Sequence, residues 1–194
     1  MLFLAVPPVL AAPAATPDKA LGQLLEALEA IPESLTDRKA AQVPKAKADA
    51  LKVWDLQRAS LEPALKPFER KEVIAAFDRM KTSEGVLAAE AALDASEGLA
   101  KLEKPGRAAR LGAVDRFCQR AWLRVEMGRW SDLPDLPAAF QPFLDHDGST
   151  HPKAVKATRL NLDIWSKAMA TRDKAQAQVA AERLLECVDR FEVQ

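Results

Sequence analysis

The chain of 194 residues contains no tyrosine, two histidines, two cysteines and seven glycines. Each shortage removes a class of answers. Aromatic residues make up only 6% and β-branched residues are sparse, which leaves little from which to build an extensive sheet. Scarce glycine leaves few sites for phosphate-cradling loops. No GxSxG elbow occurs, and no expected helix carries a histidine that would activate a serine or cysteine. Neither cysteine belongs to a CxxC pair or a CxxCH haem attachment. Charge of one sign is missing too. The 28 Lys and Arg balance the 28 Asp and Glu, so no net field recruits nucleic acid or anionic lipid. No segment reaches the ~20 apolar residues of a membrane-spanning helix. The expectation is a non-enzymatic protein without cofactor, nucleic-acid partner or transmembrane segment.

What the chain does have is alanine, together with Leu, Glu, Lys, Arg and Gln, the strongest helix formers. All-α is the expected class. Residues 1–15 form an apolar run that ends in Ala11-Ala12-Pro13-Ala14-Ala15 and turns polar at Thr16-Pro17-Asp18. Small residues at that point fit a secretory signal cleaved after Ala14 or Ala15, and a periplasmic or secreted protein. The competing reading is a flexible Ala/Pro-rich tail, because no Lys or Arg precedes the run and Pro7-Pro8 interrupts it. Residues 16–194 are then one helical-bundle domain. The overall pattern resembles exported bacterial helical-bundle proteins, a class too broad to transfer any residue.

Apolar spacing of three and four predicts five or six helices in an antiparallel up-down bundle. The first is capped by Thr16 and ends at Pro32, with Leu21, Leu24, Leu25 and Leu28 inward. A second runs from Ser34 or Thr36 to Leu61, kinked or split by Pro44. A long third helix spans Pro67 to about Glu103 through Val73, Phe77, Met80, Leu87, Ala91, Ala95 and Leu102, with a potential break at Thr82-Ser83-Glu84-Gly85. The fourth follows the Pro105-Gly106 turn to Met127. The last two, from Pro152 and from Thr171, form a hairpin. Between the fourth helix and this hairpin, about 128–151 reads as one long irregular Pro/aromatic loop, with room for a short helix from Leu136 to Phe143.

Three constellations carry expectations of chemistry. Arg116, Arg120 and Arg124 stand one turn apart on the fourth helix. Folding back at Pro105-Gly106 sets Arg116 level with Asp94 and Glu97, Arg120 with Glu90, and Arg124 near Glu84. An ion-pair ladder is therefore expected in preference to an anion site. The loop Asp145-His146-Asp147-Gly148-Ser149-Thr150-His151 holds both histidines, and imidazole with carboxylate suits a divalent metal. A small-ligand or metal-binding bundle using His146, His151, Asp145 and Asp147 is thus the alternative to a protein-contact role. Trp130, Phe140 and Phe143 are the candidate contact residues, or else a clasp over the open end of the bundle. Cys118 and Cys187 are expected to pair as a disulfide if the protein is exported.

The leading expectation is an exported, non-enzymatic helical bundle that acts on an unknown protein partner.

Overall fold

The computed structural model describes residues 17–192, which form eight α-helices and no strand. The expected signal segment 1–15 and the expected cap Thr16 lie outside the described residues.

Helix α1, Pro17–Thr36, does not stop at Pro32. A proline inside a helix forfeits one backbone hydrogen bond and clashes with the preceding turn, costing ~3 kcal/mol. Here Ile31 and Leu35 flank it and both are buried. Two such side chains recover about as much as is lost. The Ser34 hydroxyl also donates to the Ala30 carbonyl at 2.7 Å, which ties the turn containing Pro32. The chain then reverses through Arg38, in the left-handed region at φ 60°, and a 3₁₀ turn at Ala40–Gln42. Helix α2, Val43–Leu61, begins there. Pro44 sits in its first turn, where no donor is required, so it opens the helix instead of kinking it.

The long third helix is two helices, α3 (Pro67–Thr82) and α4 (Gly85–Ala100). Ser83 and Glu84 are extended, and Gly85 restarts the chain at φ +53°, a conformation only glycine adopts readily. The interruption resets the helical phase. Leu87, expected inward, is 58% exposed, and Ala88, Ala89 and Ala92 are buried in its place.

Helix α5, Arg107–Glu126, buries residues on more than one side, among them Leu111, Cys118, Gln119, Trp122 and Leu123. The segment expected to be irregular contains a 3₁₀ turn at Trp130–Asp132 and helix α6, Leu136–His146. The Asp135 carboxylate caps α6 by accepting from the Ala138 amide at 3.1 Å. Helices α7 (Pro152–Thr171) and α8 (Lys174–Glu192) complete the fold. The count is eight rather than five or six because the third helix divides and the loop supplies α6.

One continuous apolar core draws on all eight helices, with Trp54 stacked on Phe77 at 4.3 Å near its α2–α3 end. Helix α1 packs on α2 and α4, α3 on α4, and α7 on α6 and α8. The α1–α4 group and the α6–α8 group meet chiefly through α5, which packs on α1, α4, α6 and α8.

Cys118 and Cys187 do not form the expected disulfide: both are free thiols. Each is almost fully buried, on α5 and α8 respectively, where it packs as a small apolar side chain. The Cys187 sulfur accepts a long contact of 3.7 Å from Asn161 Nδ2. Burial pushes the Cys118 thiol well up, and Asp115 and Cys187 add to the effect. No described helix is long and apolar enough to cross a membrane.

Candidate functional site

The most unusual chemistry lies where α1 and α8 face each other across α5. A groove of about 330 Å³ opens there, lined by Glu33 and Asp37 from the end of α1, Asp115 and Gln119 from α5, and Glu182, Glu186 and Asp189 from α8. Helical spacing aligns them. Glu33 and Asp37 are four apart, as are Asp115 and Gln119, and Glu182 and Glu186, so each helix presents its polar atoms on one stripe. No histidine, serine or cysteine lines the groove. Its one hydroxyl, Thr36, donates to the Glu33 carbonyl at 3.1 Å, so the lining offers mainly acceptors.

At its floor the Gln119 side chain is 1% exposed. Its Nε2 donates to Asp115 Oδ2 at 2.8 Å, while its Oε1 has no partner. An unpartnered buried amide oxygen carries a desolvation penalty of about 1–3 kcal/mol. Asp115 also faces Glu29 of α1, a like charge that disfavours its ionised form. Burial, then Glu29, Glu33 and Asp189, raise Asp115 to about 9. Glu33 is raised to about 7, first by loss of water around its carboxyl and then by Glu29, Asp37 and Asp189, with Lys39 opposing. Asp189 is raised by the same kinds of cause, burial first and then Glu29 and Glu186. Nearby order comes from Trp122, whose Nε1 donates to Glu182 Oε1 at 3.0 Å. The groove is thus a set of acceptors holding at least one proton at neutral pH.

The sequence-predicted residues lie elsewhere. In the histidine segment, Asp147 is buried and pairs with Arg107 at 2.8 Å, while His151 Nδ1 meets its neighbour Thr150 Oγ1 at 2.9 Å. His146 and Asp145 are exposed, and Asp145 accepts from Gln141 at 2.6 Å. Among the described residues no three His, Cys, Asp or Glu side chains converge in a way that would hold a metal ion. Phe140 and Phe143 are buried, Phe143 against Phe191 at 5.5 Å, and Trp130 is half-buried, so all three pack on the core.

The arginine ladder is present, in a different register. Arg116 pairs with Glu103 at 3.6 Å, and Arg120 with both Asp94 and Glu97 at 2.9 Å. Arg124 and Arg129 share Glu90, at 3.8 and 2.7 Å. Arg116, Arg120 and Arg124 thus each meet an acid four to nine residues further along the chain than expected, and Glu103 lies beyond the end of α4. Long side chains on a helix lean toward its N-terminus, so the α5 arginines reach back toward the connection at residues 101–106 and meet acids nearer to it. Arg116, Arg120 and Arg124 are thus all engaged by carboxylates.

Sequence reasoning missed the groove, although a signal was available. Glu29 and Glu33 of α1 and Asp37 just beyond it follow at intervals of four, and Glu182 and Glu186 do so on α8. Like charges at that spacing are unfavourable on an isolated helix. No protein-family model, curated protein or solved structure matches the chain.

Proposed function

We propose that this is an exported, non-enzymatic protein, built as an up-down bundle of antiparallel helical hairpins, that works by binding a protein partner through the acidic groove between α1 and α8. The observation that carries the reading is the unpartnered Oε1 of Gln119, buried beneath a rim of carboxylates from three helices. A protein surface of balanced charge that gathers this much acid in one concavity is suited to a basic segment. Export is supported by the small-residue ending of segment 1–15. The bundle arrangement is supported by ion pairs that run in opposite order along neighbouring helices, Lys101 with Glu69 and Arg79 with Asp94.

One experiment tests both parts. The native protein is isolated with its partner, its first residue is read, and capture is repeated with Glu33→Lys/Glu186→Lys. The expected outcome is a chain starting after Ala14 or Ala15, and partner recovery reduced tenfold or more. The control variant Asp145→Lys/Asp163→Lys, away from the groove, should retain the partner. An intact Met1 in a cytosolic fraction overturns export, and equal recovery by the groove variant overturns the docking role.

A further inference from the structure

Resting on that reading, we propose that the groove is a guanidinium site that takes an arginine side chain of the partner.

The donor and acceptor inventory comes first. The floor atom that lacks a partner, Gln119 Oε1, is an acceptor, so it calls for an N–H or O–H. The groups around it, Asp115, Glu182, Glu33, Glu186 and Asp189, are also acceptors when ionised. Only a ligand rich in donors and positively charged complements that set. Convergence comes second. A compact divalent ion needs several oxygens at one point. The described acids do not converge in that way, because they are spread over three helices. A planar guanidinium carries five N–H donors pointing in several directions, which suits dispersed acceptors. It is also less strongly hydrated than an ammonium, which favours a site whose floor is shut off from water. Third, among the described residues the cations that pair with the lining acids are at the rim. Lys39 lies near Glu33 and pairs with Asp37 at 2.9 Å, and Arg190 reaches Glu186 at 3.7 Å. Neither pairs with Asp115 or fills Gln119 Oε1.

Binding is coupled to a proton. Asp115 on α5 faces Glu29 and Glu33 of α1 and Asp189 of α8, with the Cys118 thiol beside it on its own helix. Lys39 is the cation that faces Glu33. An incoming guanidinium favours the ionised carboxylate of the groove-lining Glu33, which is raised to about 7, and the proton that Glu33 gives up leaves to solvent. Affinity therefore rises with pH across the neutral range.

The test is an NMR titration of the intact protein with acetyl-Gly-Arg-Gly-amide, following the Gln119 side-chain amide and the Trp122 indole signal, at pH 6 and pH 8. Acetyl-Gly-Lys-Gly-amide and calcium chloride are the comparison ligands. Saturable shifts with the arginine peptide, several-fold tighter at pH 8, are expected. Gln119→Leu, which keeps the volume and removes the acceptor, should weaken binding about tenfold, as for loss of a hydrogen bond to a charged group. Glu33→Gln, at the exposed rim, should weaken it several-fold and serves should Gln119→Leu misfold. Calcium or the lysine peptide saturating the same signals at lower concentration overturns the assignment, as does unchanged affinity in a folded Gln119→Leu protein. If the arginine peptide fails while partner capture still depends on Glu33 and Glu186, the guanidinium assignment alone is overturned. If capture loses that dependence, the docking role itself is overturned.

Discussion

Arg172 ends α7 in the left-handed region at φ 53°, with its amide bonded back to the Met169 carbonyl at 3.3 Å. A side chain with a Cβ pays roughly 1–2 kcal/mol for that conformation, and glycine does not. Arg172→Gly should therefore stabilise the protein by about 1 kcal/mol, visible as a rise of ~2–4 °C in thermal midpoint. A fall would mean that the exposed arginine makes a contact worth more than its backbone strain. Single residues also show what was legible beforehand. Leu21, Leu24, Leu28, Val73, Phe77 and Met80 fall on the apolar stripes that spacing identifies, and all are buried. Asp115 and Gln119 were not legible as a site. Their character comes from Glu29, Glu33 and Asp189, which reach them only once three helices have packed.

Helix boundaries followed proline and glycine less simply than the sequence suggests. Pro17, Pro44, Pro67 and Pro152 all stand in first turns, whereas Pro32 and Pro142 lie inside helices. Local preference locates the first group. The second depends on burial by distant partners, which periodicity does not report. Close approach between helices was equally hidden. A Cβ added to Gly98 of α4 would stand 2.5 Å from Cγ2 of Val73 on α3. Valine is stiff at χ1 and cannot swing clear. Gly98→Ala should destabilise by about 1–3 kcal/mol from overpacking, less the ~1 kcal/mol that alanine gains in a helix. Urea unfolding of Gly98→Ala, Val73→Ala and the double variant tests this: the double variant should lose less than the sum of the two single losses. Full additivity would remove steric contact as the cause.

Taken over the whole protein, the raised carboxyls set the direction in which stability changes with pH. Asp115 and Glu33 titrate at about 9 and about 7 in the folded chain and near ordinary carboxylate values when unfolded. Between those values the folded state holds the extra protons. Their contribution is complete below about pH 4 and is lost as pH rises through 7 and then 9, by up to ~1.4 kcal/mol per pH unit for each proton retained. Urea midpoints should therefore fall from pH 5 to pH 9. Asp115→Asn should flatten that fall and exceed the wild type at pH 9, and a wild-type midpoint that rises toward pH 9 would contradict the assignment. The arrangement of helices around α5 has a further consequence, for the order of assembly. The α1–α2, α1–α4 and α3–α4 contacts all lie within residues 17–100, so this packet can assemble without α7 and α8. Helix α8, the last of the described helices, must dock on α5 to bring Glu182, Glu186 and Asp189 opposite Glu33. The groove therefore cannot form before α8 docks, and a truncated or half-folded chain cannot present it.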